Sequence, residues 1–337
     1  MGSTAAADRA ACDPLAVTRF AGRLAALWPE GADEAAKLGL AVSGGPDSTA
    51  MLLLAAAALP GRVEAVTVDH GLRAEAATEA AMVASLCAEI AVPHRTIAVE
   101  VASGNLQAEA RRARYAAMLE WIEARGLGAL ATAHHADDQA ETLLMRLNRA
   151  SGVAGLAGAR ARGIVPGSRL PLLRPVLDWR RSELEGVVAR AGAPFVQDPS
   201  NLDDRFDRVR MRKALAAADW LDVPAIAASA GFLSEADEVI EWAAQLEYRQ
   251  SVRTEALGVS YRPRAPKAVV LRVVARIVRD LDGNAPRGSA VARLVESLVE
   301  GRPASIGGLI VRSDASGWSF MPAPKRRAAK SVASKKL

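Results

Sequence analysis

A short apolar run, Leu38-Gly39-Leu40-Ala41-Val42, breaks at Ser43-Gly44-Gly45-Pro46-Asp47-Ser48 and resumes as Thr49-Ala50-Met51-Leu52-Leu53-Leu54. No other stretch constrains the fold as tightly. Residues 37–42 are short, apolar and stopped by glycine, which predicts a buried strand; residues 48–59 are rich in Ala and Leu and end at Pro60, which predicts a helix. Strand, tight loop and helix make an anion-binding geometry. The first turn of such a helix carries unpaired N–H groups and the positive end of its dipole, so a phosphate placed there meets several donors at once. Gly44 and Gly45 allow positive φ and leave no Cβ to hold a polyphosphate off the backbone, and Ser43 and Ser48 add hydroxyls. Asp47 would repel a phosphate directly, but it suits the Mg²⁺ that accompanies ATP. A plain strand-to-helix turn with Asp47 or Ser48 as N-cap is the competing explanation, and six matched positions in this context weigh against it.

The rest of the first half alternates. Strands are predicted at residues 63–68, 94–99 and 127–133, and helices at 74–90, 107–125 and from the His134-His135 pair to about residue 149. Asp13-Pro14 opens an amphipathic leading helix. This spacing predicts an α/β fold, a parallel sheet with helices on both faces, whose ligand lies beyond the carboxyl ends of the strands. At 337 residues the chain has room for two domains, read as 1–215, a smaller and mainly helical 216–324, and a basic tail 325–337. Charge is uneven: residues 1–200 carry 20 Lys and Arg against 22 Asp and Glu, whereas residues 201–337 carry 23 against 16. Nucleic-acid contacts should therefore draw on the second half; the tail suits phosphates or a solvated end equally.

Several function classes are disfavoured. Cys12 and Cys87 are the only cysteines, with neither a paired spacing nor a His/Cys cluster, which argues against structural zinc, an iron–sulfur cluster or a redox dithiol. No apolar stretch is long enough to span a bilayer, and residues 1–6 match neither a signal peptide nor a myristoylation site, so a cytoplasmic protein is expected. No Gly-Lys-Ser or Gly-Lys-Thr occurs, which disfavours a Walker-type NTPase.

Polar motifs cluster at the predicted strand ends. Asp69-His70-Gly71-Leu72-Arg73 follows the second strand, where Asp69 could equally cap the next helix. Arg111 and Arg114 lie one turn apart beside Tyr115 and suit a phosphate and a base edge, or a solvated face paired with Glu109. In His134-His135-Ala136-Asp137-Asp138-Gln139-Ala140-Glu141-Thr142, Asp138 and Glu141 are three apart on one helical face, a pair that can bind an ammonium, bind a metal or act as base. His134 and His135 lack further zinc ligands nearby and fit a structural or substrate-orienting role. Residues 149–158 are a Gly-rich loop over the site or a connector. Arg205, Arg208, Arg210, Arg212 and Lys213 form a basic string.

The Ser43-to-Ser48 segment resembles the pyrophosphate loop of the N-type ATP pyrophosphatases. The later motifs, in the same order over roughly residues 38–215, resemble its tRNA(Ile)-lysidine synthetase family. The resemblance implies ATP as substrate with Mg²⁺ on Asp47, and nucleotide contacts from Ser43, Gly44, Gly45, Pro46, Asp47, Ser48 and Asp69. It implies a role for Arg114 with the target cytidine, for Asp138 and Glu141 with L-lysine, and for Arg212 in closing over phosphates. Arg174-Pro175-Val176-Leu177 and the Asp198-to-Asn201 turn also match. Val209 departs from the pattern, where the family has Asn. The implied reaction is a two-step ligation of lysine to the wobble cytidine of the CAU-anticodon tRNA(Ile), with a homodimer left open. The competing readings are a tRNA thiolase of the same superfamily, which normally relies on paired cysteines or a cluster, and a nucleotide-binding regulator that performs no ligation.

Overall fold

In the computed structural model, which describes residues 12–71, 75–100, 106–196 and 203–323, the first apolar run forms β1 (Leu38–Ala41) between two parallel neighbours. These are β2 (Val63–Asp69) and β4 (Ala129–Ala131). With β3 (His94–Ala98), β5 (Arg162–Ile164) and β6 (Pro171–Leu173) they make one sheet in the order β3-β2-β1-β4-β6-β5. Every pairing is parallel except β5 with β6. The chain builds outward from β1 to β3 and then returns to place β4 on the other side of β1, so the strand order reverses there. Such a reversal opens a crevice beyond the carboxyl ends of β1 and β4.

Side-chain alternation sorts the sheet into two buried faces. Leu38, Leu40, Ala65, Ala129 and Leu173 face α1 (Pro14–Leu27), α2 (Pro46–Ala58) and α7 (Arg181–Ala191), where Phe20, Leu52, Leu54, Leu184 and Val188 pack. Val66, Leu130 and Leu172 face the other way, onto Tyr115, Met118, Trp121 and Ile122 of α4 (Leu106–Arg125). Residues 48–55 of α2 are all buried, as an apolar helix packed among other helices and a sheet must be. Each fully buried Leu there contributes about 1.5–3 kcal/mol relative to exposure. Gly39 matters to the second face, because a Cβ at that position would lie 2.9 Å from the Trp121 ring.

The helices α3 (Ala76–Glu89), α5 (Ala136–Leu147), the single turn α6 (Val153–Leu156) and α8 (Asp207–Ala217) complete the first unit, and the two units part between Ser234 and Glu235. The long α9 (Val223–Ser251) precedes β7 (Val252–Glu255) and β8 (Gly258–Tyr261). In the second unit α10 (Lys267–Asp282) and α11 (Gly288–Val299) pack on a five-stranded antiparallel sheet ordered β7-β8-β11-β10-β9, with β9 (Ala304–Ile306), β10 (Leu309–Asp314) and β11 (Gly317–Pro322). Val273, Val274, Ile277, Leu294, Leu298, Val311 and Phe320 form its core. Helices make up the larger part of this unit, as expected, but the sheet is an addition to the mainly helical reading.

Leu72 and Arg73, Asn105 and the side chain of Gln107, the turn at 197–201, the amino-terminal residues 1–11 and the tail 325–337 lie outside the described residues. Among the described residues, no helix is long and apolar enough to cross a membrane.

Candidate active site

The turn after β1 has the geometry an anion needs. Gly45 is the N-cap of α2 and offers no side-chain cap, while Pro46 occupies the first turn, so the N–H groups of that turn are left for a ligand. The helix thus starts two residues before the expected Ser48, with neither Asp47 nor Ser48 as its cap. Of the two glycines only Gly44 has positive φ, at +87°, where a Cβ would also sit 3.3 Å from Val83. Gly45 is extended (φ −71°, ψ 163°), so what it contributes is an unobstructed approach. Ser48 Oγ accepts from the Ser43 N–H at 3.2 Å and donates to the Gly45 carbonyl at 3.0 Å, which ties the loop to its own helix.

This loop borders a cavity of about 490 Å³. Ser43, Gly45, Asp47 and Ser48 line one part of it, Asp69 and His70 at the end of β2 another, and Arg114, His134, Asp138 and Arg208 the rest. Of the residues expected at the site, Gly44 and Pro46 shape the loop without lining the cavity, and Glu141 and Arg212 lie outside its lining. Asp69 accepts from the Gly71 N–H at 2.8 Å, which shapes the turn after β2. Arg114 has no ion pair among the described residues, so its guanidinium is available to an anion. Arg111 instead stacks over the Tyr115 ring at 4.9 Å.

His135 is only 1% exposed and sits among three carboxylates: Asp47 and Asp138 each 3.5 Å from Nε2, and Asp137 3.6 Å from Nδ1. Burial works against its charge, but hydrogen bonding to Asp137 and Asp47 and the charge of Asp138 outweigh it and hold the pKa at about 9. The Asp138 N–H also points at Nδ1 from 3.4 Å, a contact a protonated ring cannot accept, so the carboxylates and not that contact hold the ring. Asp137 turns outward to Arg180 and the Arg181 N–H, which it accepts at 2.8 Å, and so pins the start of α7. His134 is the reverse case. Burial, then the charge of Arg174, pulls its pKa down to about 4, and its Nδ1 pairs with the Thr132 hydroxyl at 3.1 Å.

Asp138 and Glu141 do share one face of α5, as their spacing requires, and both are already occupied. Arg208 on α8 bridges them, its Nε 2.8 Å from Glu141 and a terminal nitrogen 2.8 Å from Asp138. Arg212, one turn on, binds the other Glu141 oxygen at 2.8 Å, so in this structure it is engaged with Glu141. Burial raises the Asp138 pKa, but the charges of His135 and Arg208 override it and the net direction is down. Arg208 is the site residue that the motifs did not single out. Its signal was present: Arg208 and Arg212 are four apart on one helix, matching Asp138 and Glu141 three apart on another. Val209, between them, is buried.

Asp47 is the candidate metal ligand. Its Oδ1 is buried without any hydrogen-bond partner, an orphan acceptor that a hard cation would satisfy. No group of three or more potential ligands occurs among the described residues. That is compatible with Mg²⁺, which keeps waters and substrate phosphates and needs only one or two carboxylates.

Residues 17–218 match the family model of the PP-loop domain. A tRNA(Ile)-lysidine synthase of Novosphingobium aromaticivorans is 44% identical over 93% of this chain and 95% of its own length. One from Zymomonas mobilis is also 44% identical, over 87% and 90%. Among solved structures, the U34-tRNA thiolase NcsA from Methanococcus maripaludis, described with its [4Fe-4S] cluster, superposes with a TM-score of 0.52 at 13% identity, over 65% of this chain and 78% of that one, a likeness of fold. A loop built for phosphate at the strand-order reversal, with the ordered motifs around it and relatives this similar along nearly their full length, leaves one conclusion: the chain belongs to the PP-loop family and, within it, to the tRNA(Ile)-lysidine synthases.

Proposed function

We propose that this chain uses ATP to ligate L-lysine to C2 of the wobble cytidine in the CAU-anticodon tRNA(Ile), through an adenylated cytidine. The observation that carries this reading is the convergence of the pyrophosphate loop, Asp69, Arg114 and Asp138 on one cavity. In the first step the cytosine O2 attacks the α-phosphorus of ATP; the new P–O bond forms as the bond to the bridging oxygen breaks, and pyrophosphate leaves. The N–H groups at the start of α2 and the Ser43 hydroxyl receive that departing charge. Asp47, with its orphan Oδ1, would hold the Mg²⁺ that accompanies ATP, and that ion would neutralise charge on the phosphates. Arg114, a guanidinium without an ion pair among the described residues, positions the cytidine. In the second step the lysine Nε attacks C2, the C2–O bond breaks, AMP leaves and the amine loses a proton.

Asp138, with Glu141 behind it, takes the lysine side chain. The support is chemical: the pair already holds a cation, Arg208, of the same charge as the lysine ammonium. This makes the chain a carbon–nitrogen ligase acting in the cytoplasm. Residues 1–215 carry the chemistry, and residues 216–324, from the more basic half of the sequence, contribute tRNA contacts. The superimposed thiolase is described with an iron–sulfur cluster, whereas this chain has two cysteines, Cys87 being buried with its thiol pushed up to about 12, which favours ligation over sulfur transfer.

The test is incorporation of labelled lysine into tRNA(Ile), with labelled sulfur as control, alongside ATP–pyrophosphate exchange that requires the cognate tRNA. Asp47→Ala should abolish exchange. Exchange independent of tRNA, or sulfur incorporation, would overturn the reading.

A further inference from the structure

The seam between α5 and α8 does not end with the acidic pair. On α5, positions 138, 141, 145 and 148 recur at intervals of three and four and lie along one stripe; on α8, Arg208 is followed by Met211 and Ala214 at intervals of three. Beyond Glu141 the charged pairs give way to a second cavity, of about 350 Å³, with Met145, Met211 and Ala214 in its apolar wall. It begins one helical turn past Glu141, about 6 Å along the α5 axis, and neither step of the proposed ligation uses it. Asn148, the C-cap of α5, brings to its rim a side-chain amide that makes no hydrogen bond among the described residues. On the same rim Arg149 and Arg210 both pair with Asp207, so two guanidiniums share one carboxylate and one positive charge is left over. Both arginine side chains are more than half exposed, so either can turn to a phosphate at little cost.

These components specify a ligand. Two thioethers make a soft, polarisable wall that suits a flat ring. A free amide sets a donor beside an acceptor, the pattern that pairs with adenine, and surplus guanidinium charge suits a phosphodiester. A peptide with an aromatic side chain would fit the wall but leave the positive charge unanswered. RNA bases read in this way are splayed out of their stack and bonded along their edges. On the tRNA reading proposed above, the base on the 3′ side of the target cytidine is the adenine of the CAU anticodon, and a single helical turn is a step that one nucleotide can span. We propose that the cavity between Met145 and Met211 takes that adenine, with Asn148 hydrogen-bonded to its amino group and the adjacent ring nitrogen and with Arg149 or Arg210 on its phosphate.

The inference rests on the tRNA reading, and its readout is binding and not turnover, so that it and the catalytic reading fail separately. Filter binding of labelled CAU-anticodon tRNA(Ile) to the full chain, without ATP or lysine, should give a Kd roughly tenfold higher for Asn148→Ala than for wild type. The melting temperature should stay unchanged, because Asn148 is exposed. Replacing the adenosine with purine riboside, which lacks the amino group, should weaken wild type by a similar factor and Asn148→Ala no further. Arg149→Gln combined with Arg210→Gln should weaken both tRNAs alike and reduce the salt dependence by about one phosphate contact. No binding by wild type, an Asn148→Ala Kd indistinguishable from wild type, or losses from the two changes that multiply would overturn the proposal. So would a wild type indifferent to the base while the arginine variant is still weakened, which would make the rim a phosphate clamp only. Binding that depends on the amino group without any lysine transfer would uphold this proposal and sink the catalytic one.

Discussion

Glu141 is the residue whose replacement reports most directly on how the site is held together. Its carboxylate is 1% exposed and accepts from two guanidiniums, Arg208 and Arg212, each at 2.8 Å. Glu141→Gln keeps the shape and one acceptor, so one bond persists in weakened form; the new amide nitrogen must then point at the other guanidinium, donor against donor. A hydrogen bond to a charged group is worth about 1.5–3 kcal/mol, and stripping one partner from a fully buried ion pair costs about 3–5 kcal/mol. The upper figure needs discounting, because the Arg208 and Arg212 side chains are 45% and 28% exposed and can turn toward water. A net loss of about 1.5–3 kcal/mol follows, and with about 2–4 °C per kcal/mol for a unit this size the melting temperature should fall by roughly 3–12 °C. Calorimetry on wild type and variant measures it, and lysine transfer on the same protein should show a raised lysine requirement with adenylation largely retained. A melting temperature within 1 °C of wild type would refute the claim that Glu141 clamps α8 to α5.

Two further outcomes follow from the same geometry. His134, buried with its pKa depressed to about 4, binds its proton more readily in the unfolded chain, so it supports stability above the ordinary histidine value of about 6.5 and that support drains away as pH falls toward 4. His134→Gln should flatten the melting-temperature profile between those limits by the equivalent of a few kcal/mol at most, and a slope identical to wild type would show that His134 is not held neutral. Gly44→Ala should cost about 1–2 kcal/mol at a φ of +87° and raise the KM for ATP severalfold in pyrophosphate exchange, since the strained turn sets where the first N–H groups of α2 point. An unchanged KM would mean that the turn tolerates distortion.

How much of this was legible depended on how local the signal was. The β1–loop–α2 unit could be read directly because its strand, its Ser-Gly turn and its helix occupy seventeen contiguous residues, 38–54, each with a distinct composition. β5 and β6 could not, each being three residues long and too short to alternate, with β5 at the sheet edge and antiparallel to β6. The sheet of the second unit left a clue in Leu309 and Val311, then Trp318 and Phe320, buried at alternate positions on either side of the 314–317 turn. At the site, the motifs identified which residues come together but not which of them neutralise each other. Asp138 and Glu141 read as a free acidic pair because their counter-ions come from α8, some seventy residues away.

That neutralisation decides what the cavity can still bind. Arg208 and Arg212 satisfy Glu141, Arg208 also engages Asp138, and the His135 imidazolium lies among Asp47, Asp137 and Asp138. Of the lining residues, Arg114 remains a cation with no ion pair among the described residues, Asp47 Oδ1 remains a buried acceptor with no donor, and the first turn of α2 remains without a side-chain cap. A guanidinium, an orphan carboxylate oxygen and a set of open N–H groups together complement an anion that carries its own cation, which describes the Mg²⁺ salt of a polyphosphate. On the proposed reading, in which Asp138 takes the lysine, the incoming ammonium must displace Arg208 from that carboxylate. If Asp138 takes the lysine as proposed, Arg208→Ala should alter the lysine requirement of the transfer assay and leave ATP–pyrophosphate exchange unchanged, and an unaltered lysine requirement would refute the competition between lysine and α8 for one carboxylate.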